Sequence, residues 1–372
     1  MGSRFKSRRV GWGILGTGYA AARFVEGLRL VPNAEALAVA SRSESRGREF
    51  AQQLKVRRVY STSEELVRDK DVDVVYIATP NSVHYAHTML CLSQGKGVLC
   101  EKPFALNATE AREMAATARS NGLFCMEGMW TRFLPLMRDV RQIVRGGSMG
   151  DIRMLTVVLG HPIRVQPSSG LFSQELGGGS LLDLGVYGIS LAHDLLGEPS
   201  AITACATIGA TGVDEQSCVT LNYPGGAVAV IAASLRTLGP NDAVIMGATG
   251  RLRIHEPLIS PVKYSLRKFK EVTLEASPRK GLLNRIKSSV AVRRLLQPLV
   301  SKLGDRSIVR SFNGNGTNYQ AEEVVRCLQE GRTESKVMPL SDTVEVLRIM
   351  DDARKQFGLR YPGESITVDS SQ

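Results

Sequence analysis

The sequence predicts an α/β chain: an N-terminal doubly wound parallel sheet, then an α+β region built on a largely antiparallel open sheet. Three observations carry that expectation. From Val10 to Phe124, short apolar runs alternate with helical stretches, the pattern a parallel sheet with crossover helices requires. A turn reading Gly16-Thr17-Gly18-Tyr19-Ala20-Ala21 closes the first run and opens a helix. Beyond Glu127, β-rich runs follow one another directly, which implies antiparallel pairing. At 372 residues the chain exceeds one ordinary core and fits two domains, 1–127 and 128–372.

In the first domain, Val10–Leu15, Ala34–Ala40, Val72–Ala78 and Gly97–Cys100 read as buried strands. Tyr19–Arg29, Ser43–Leu54, Ser63–Val67 and Val83–Leu92 read as the helices between them. The second domain opens with a helix over Phe133–Val144 and a strand over Ile152–Gly160. A long helix from Ser180 to Leu196 precedes β-rich runs at Ala201–Ile208, Ser217–Tyr223, Ala227–Ala233, Ala243–Gly247 and Arg251–His255. Helices near Tyr319–Glu330 and Ser341–Phe357 close the chain, and no internal repeat is visible.

Composition is that of a soluble globular protein, 43% hydrophobic and 22% charged, with no apolar run approaching the ~20 residues of a membrane span. With Lys6 where an acylation signal needs Ser or Thr, and no apolar signal core, the start reads as cytoplasmic. Six scattered cysteines, none in a CxxC pair, fit a reducing compartment. The net charge of +11 comes wholly from two segments: residues 1–9 hold four basic side chains, and residues 279–306 hold eight against Asp305. The remainder is neutral, which argues against nucleic-acid binding. The segment 279–306 also carries Leu282, Leu283, Ile286 and Leu299, with Pro298 breaking any helix. Its pattern fits a surface excursion first and a weak membrane-surface contact second.

The glycine turn has the form that cradles a dinucleotide pyrophosphate. Gly16 permits the tight bend, Gly18 lets the backbone approach phosphate, and Ala21 keeps the helix close to the sheet. Thr17, Tyr19 and Ala20 complete the turn, and the helix N-terminus offers N–H groups. After the second strand, Ser41 and Arg42 stand where NAD sites carry Asp or Glu, with Arg46 one turn later. A hydroxyl and a guanidinium suit a 2′-phosphate, so the expected cofactor is NADP in preference to NAD. Thr79, Asn81 and His84 follow one strand, and Glu101-Lys102-Pro103 the next. Strand tips of such sheets converge on the ligand crevice. Outside that context these would read as a helix cap with a solvated Arg and an ordinary surface Lys.

Behind the nucleotide turn, Asn81 with His84, Glu101-Lys102-Pro103 and Gly177-Gly178-Gly179-Ser180-Leu181-Leu182-Asp183-Leu184-Gly185-Val186-Tyr187 together resemble the glucose-fructose oxidoreductase / inositol dehydrogenase (Gfo/Idh/MocA) family. Val98–Pro103 and Met126–Pro135 look most like its branch of dimeric trans-dihydrodiol dehydrogenases and NADP-dependent D-xylose dehydrogenases. The resemblance implies a Rossmann domain and hydride transfer between NADP and a carbinol carbon of a sugar, polyol or cyclic trans-diol. A homo-oligomer, dimer or tetramer, paired through the open sheet face, is implied as well. Lys102 would reach the reacting oxygen, with Asp183 and Tyr187 completing the proton-transfer group; many members have His where this chain has Tyr187.

Asp183 and Tyr187, four residues apart, also share a helical face on spacing alone. Tyr187 is then expected as the acid/base, its pKa lowered from near 10 by the Lys102 ammonium, while Asp183 orients the substrate hydroxyl or Lys102. Trp130 and Arg132 resemble the branch's pocket wall, though a core Trp and a salt-bridged Arg fit equally well. His161 is a further pocket candidate, and His193, six residues beyond Tyr187, reads as structural. His84, His87 and Cys91 share a helical face but lack a fourth ligand, so no metal is expected. A second class stays open: a dinucleotide-binding sensor or scaffold without turnover, docking an acidic partner or membrane through its basic segments. The joint presence of Lys102, Asp183 and Tyr187 favours the enzyme. Residues 263–311 depart from the family pattern.

Overall fold

The structure, a computed structural model, describes Phe5, residues 8–270 and residues 306–364. Lys6 and all but the last residue of the basic segment 279–306 lie outside the described residues.

The first sheet has six parallel strands in the order β3-β2-β1-β4-β5-β6. These are β1 (Val10–Leu15), β2 (Ala34–Ala40), β3 (Arg58–Tyr60), β4 (Val74–Ile77), β5 (Gly97–Glu101) and β6 (Cys125–Gly128). Helices α1 (Tyr19–Leu28), α2 (Glu44–Leu54), α3 (Ser63–Arg68), α4 (His84–Ser93) and α5 (Ala108–Ser120) supply the crossovers. Strand order reverses between β1 and β4, which opens a crevice at their carboxyl ends. An aromatic stack holds α1 to the sheet: Phe24 lies 3.7 Å from Tyr76, centroid to centroid, and 5.1 Å from Trp12.

After α6 (Pro135–Arg145) comes an eight-stranded sheet, ordered β14-β13-β12-β11-β7-β10-β9-β8. Its strands are β7 (Ile152–Gly160), β8 (Ala201–Ile208), β9 (Asp214–Asn222), β10 (Val228–Ser234), β11 (Asp242–Gly247), β12 (Gly250–Ile254), β13 (Lys263–Lys268) and β14 (Arg306–Val309). Only β7 and β10 pair in parallel; the other neighbours are antiparallel. One face packs on α7 (Val186–Leu196), whose Gly188 lies so close that a Cβ there would come 2.6 Å from Ile231. The opposite face presents Thr203, Thr220, Val230, Thr156, Val244 and Arg253 as one row across six strands. Strands β13 and β14 pair at the base of the stretch where the sequence departs from the family pattern.

Helices α8 (Asn318–Gln329) and α9 (Leu340–Gln356) end the described chain. They cross between the two sheets, α8 against α1, and α9 against α5, α7 and β8. No helix among the described residues is long and apolar enough to cross a membrane.

Most expected elements stand within two or three residues of their predicted bounds. Apolar runs do not register β3, β6, β13 or β14, which are short or carry charge, or α5, whose buried face is mostly alanine. The expected helix over Ser180–Leu196 is two pieces, a π-helical turn at Leu181–Gly185 running into α7.

Arg132 is not a pocket wall residue. It is 2% exposed, and its guanidinium donates to Ser190 Oγ (2.9 Å) and Ser190 O (2.9 Å) on α7 and to Asp342 (2.7 Å) on α9. With a fourth bond to Val337 O (3.3 Å), its guanidinium is held within the protein interior. Breaking a buried pair leaves an uncompensated group. Arg132→Met should lower stability by about 3 kcal/mol, read from denaturant unfolding; a midpoint matching wild type would refute this role.

Candidate active site

The crevice is lined by loops following β1, β4 and β5. Gly16 adopts φ +107°, and a Cβ there would lie 2.5 Å from Ala78 O, so the first turn of the nucleotide motif requires glycine. At Gly18 a Cβ would meet nothing within 4 Å, and this N-cap of α1 has no side-chain hydrogen bond. Thr17 is half-buried, and Gly18, Tyr19 and Ala20 are exposed. The first N–H groups of α1 are thus bare and the space before them is open, which fits a pyrophosphate.

At the end of β2, Ser41 is half-buried and Arg42 and Arg46 are exposed. Neither arginine forms an ion pair among the described residues. Ser43 caps α2 by accepting from Arg46 N (3.5 Å), leaving the Arg42 guanidinium available to an anion.

The β4 loop serves as a brace. Thr79 Oγ1 bonds His87 Nδ1 (3.1 Å), and Asn81 donates its amide to Gly177 O (2.9 Å) of the glycine run. His84 was expected at the cofactor, but it is fully buried. Its Nδ1 lies 2.8 Å from Pro103 O and its Nε2 2.9 Å from Thr79 O. Burial pushes its pKa down to about 4, against the pull of those two carbonyls. Neutral, with one N–H, His84 donates to one of these carbonyls and packs against the other, between the β4 and β5 loops.

The β5 loop delivers Lys102, whose Nζ donates to Asp183 Oδ1 (2.8 Å) and to Asp183 O (2.8 Å) and lies 4.9 Å from the Tyr187 ring centroid. Burial opposes the ammonium, but Asp183 first and then Tyr187 hold the Lys102 pKa above its ordinary value. Glu101 accepts from Lys102 N (3.3 Å) and from the phenol of Tyr76. Burial raises the Glu101 pKa. Tyr187 Oη accepts from Trp130 Nε1 at 3.3 Å.

One electrostatic expectation is corrected. Burial raises the Tyr187 pKa and outweighs the downward pulls of Lys102 and of the Trp130 N–H. The phenol is held protonated, and Lys102 moderates a penalty without reversing it.

The structure thus brings Lys102, Asp183, Tyr187, Trp130 and Glu101 together. His161 is set apart: it follows β7 with its N–H on Ser234 O (3.0 Å) and makes no hydrogen bond to this group. His193 bonds Gly197 O (3.2 Å) and lies 3.5 Å from Asp342, a structural place as expected. Three groups escaped sequence reasoning. Arg23, one turn after Tyr19, stacks over both Tyr19 and Trp130 at 5.7 and 5.8 Å and donates to Asn315 O (2.8 Å). Tyr76 hides inside an apolar strand. Asp214 lies 35 residues beyond Gly179, the end of the glycine run it supports.

Asp214 is fully buried and accepts from Ser180 Oγ (2.7 Å) and Leu181 N (2.7 Å), pinning the start of the π-helical turn. Gly179, at φ +120°, passes so near that a Cβ would come 2.1 Å from Asp214 Oδ1. Tyr361 adds a bond to Gly178 O (2.5 Å). Gly179 O in turn takes Asp183 N (3.2 Å). The position of Asp183 is therefore inherited from a carboxylate on β9.

Residues 10–129 match the profile described as an oxidoreductase family with an NAD-binding Rossmann fold, and residues 137–253 match the GFO/IDH/MocA C-terminal domain. Trans-1,2-dihydrobenzene-1,2-diol dehydrogenase of Bos taurus is 35% identical over 356 residues, covering 94% of this chain and 98% of that one. The chain belongs to the GFO/IDH/MocA oxidoreductase family. The Homo sapiens dihydrodiol dehydrogenase is 33% identical over the same shares of each chain. Among solved structures, a 3-ketoreductase from Actinomadura kijaniata in complex with NADP superposes with TM-score 0.78 at 22% identity over 94% of this chain and 98% of its own. An aldose-aldose oxidoreductase from Caulobacter crescentus gives TM-score 0.77 at 24% identity, over 94% and 97%. These last two speak to the fold alone.

Removing the Asp214 carboxylate strands a buried hydroxyl and a buried N–H. Asp214→Ala should cut turnover by roughly 100-fold with dinucleotide affinity unchanged, and Asp214→Asn should recover part of the loss. Equal activity in all three proteins would remove the residue from this role.

Proposed function

We propose that this family member is an NADP-dependent dehydrogenase or reductase acting on the CH–OH group of a sugar, polyol or cyclic trans-diol, with Tyr187 as acid/base. The observation that carries the reading is the cluster in which Lys102 Nζ bonds Asp183 while lying over the Tyr187 ring, at the tip of the strand beside the nucleotide crevice. Cyclic trans-diols enter because relatives at 33–35% identity are dihydrodiol dehydrogenases. NADP is preferred because Ser41 and Arg42 offer a hydroxyl and a guanidinium with no acidic side chain to receive a ribose diol.

Gly16, Gly18 and the first turn of α1 would hold the pyrophosphate, and Arg42 with Arg46 the 2′-phosphate. When bound, the dinucleotide supplies the hydride acceptor for oxidation, or the donor for reduction. The protein moves the proton. In reduction Tyr187 Oη, protonated at neutral pH, donates to the oxygen of the substrate; in oxidation it receives the hydroxyl proton. The Lys102 ammonium and the Trp130 N–H stabilise the phenolate of that second state. Asp183 keeps Lys102 charged and aimed. Because burial raises the Tyr187 pKa, oxidation should accelerate as pH rises through the alkaline range, and reduction should slow.

The test is a screen that follows NADPH absorbance over aldoses, inositols and cyclic trans-diols with both cofactors; turnover of none of them would overturn the reading. Lys102→Met and Tyr187→Phe should each lower turnover by about 100-fold or more, with NADPH affinity held within a few-fold. Arg42→Ala should weaken NADP+ roughly tenfold or more and leave NAD+ alone. Equal affinities for the two cofactors in the wild-type protein would overturn the NADP assignment.

A further inference from the structure

The indole of Trp130 follows β6 and donates from Nε1 to Tyr187 Oη at 3.3 Å. That is long for an N–H donor, whose usual distance to oxygen is about 2.9–3.0 Å, so its contribution depends on how firmly the ring is held. Two neighbours hold it. Gly316, at φ +91°, passes so close that a Cβ there would come 2.7 Å from Trp130 Cζ3 and 3.2 Å from Cε3. The Arg23 guanidinium covers the ring, 5.8 Å from its centroid and within the ~6 Å reach of a cation–π contact.

Arg23 is itself fixed from several sides. From α1 it donates to Tyr19 Oη (3.1 Å), over whose ring it lies at 5.7 Å, and to Asn315 O (2.8 Å). Its main-chain carbonyl accepts from Asn315 Nδ2 (2.7 Å) and Thr317 Oγ1 (3.2 Å). The segment carrying Gly316 is thereby fastened to α1 at the same residue whose side chain covers the indole. Among the described residues no carboxylate pairs with the guanidinium, which leaves its charge to the two rings. A run of contacts thus leads from Tyr19, the first residue of α1, through Arg23 and Trp130 to Tyr187.

We propose that Arg23 is a positioning residue for proton transfer, holding the Trp130 indole so that its N–H stays on Tyr187 Oη. The inference rests on Tyr187 being the acid/base. The Trp130 N–H and the Lys102 ammonium favour the phenolate, against burial, Glu101 and Asp183, with the Tyr76 phenol bonded to Glu101 behind them. A released indole withdraws its share of that help, the phenol gives up its proton less readily, and oxidation at neutral pH slows. The loss fades at pH values where the phenol is ionised, whereas a general loosening of the fold would lower turnover at every pH.

Arg23→Gln in the full-length protein tests this, since it removes the charge and keeps a donor. Trp12 and Trp130 are the two tryptophans of the chain, so subtracting the spectrum of Trp130→Phe isolates the emission of Trp130. In Arg23→Gln that emission should move to longer wavelength and be quenched more strongly by acrylamide, and Arg23→Lys should reverse both in part. Turnover is then followed with NADP+ and the aldose, inositol or cyclic trans-diol that the wild type oxidises fastest. The midpoint of the kcat/KM profile should move up by roughly half to one pH unit in Arg23→Gln and in Trp130→Phe alike, and the double variant should move no further. Unchanged Trp130 emission, a loss of turnover equal at every pH, or additive shifts would each overturn the proposal and leave the acid/base reading standing. No turnover by the wild type, or full turnover by Tyr187→Phe, would overturn that reading and the proposal with it.

Discussion

One ammonium holds the two halves of the site in register. Lys102 leaves the tip of β5 and meets Asp183 twice, at the carboxylate and at the main-chain carbonyl. The second bond bears on the local helix geometry: Asp183 lies in the π-helical turn, and Val186 N reaches back five residues to Leu181 O. Single π turns inside helices occur often at functional sites. Here the turn places a side chain and a carbonyl of one residue around a single cation. The pair is half-buried and spans the two domains' elements, so the geometry of the site and the docking of the two sheets depend on the same contact.

Charge balance around that ammonium sets the resting state. Asp183 bonds the Lys102 ammonium and Glu101 accepts from the Lys102 main-chain N–H, while the phenol of Tyr187 sits buried beside them. Adding a phenolate would place a third negative charge in a dry space, which is why the proton stays on oxygen. Glu127, buried on neighbouring β6, shows the same pressure: its pKa is pushed up to about 7 by burial. The interior around the site favours neutral acids, and Lys102 is the exception that Asp183 sustains.

The parallel half of the fold was legible because strands buried on both faces show as continuous apolar runs, and Gly16 and Gly18 mark the turn between them. Asp183 and Tyr187 could be paired from a four-residue spacing behind a glycine run, whereas Lys102 stood out only through the family resemblance of Glu101-Lys102-Pro103. What sequence could not show was direction. His84 and Arg132 look like ligand contacts in one dimension and prove to be committed to main-chain carbonyls, to Ser190 and to Asp342. Asp214 and Arg23 act across gaps of 34 and 292 residues in their bonds to Ser180 and Asn315, a distance that periodicity cannot span. The Tyr187 pKa was misjudged for a related reason, since a neighbouring charge can be inferred from order along the chain and the depth of burial cannot.

The side-chain amide of Gln356 has a consequence for the colloidal behaviour of the protein. An uncovered edge strand is a template on which any extended chain can add. At β8 that role is taken by one glutamine at the end of α9, which supplies the acceptor and donor a ninth strand would otherwise bring. The last helix of the described chain thus works as a stopper as well as a packing element. A chain shortened before it would expose a row of backbone groups beside small, neutral side chains, the surface from which sheet-extended aggregates grow.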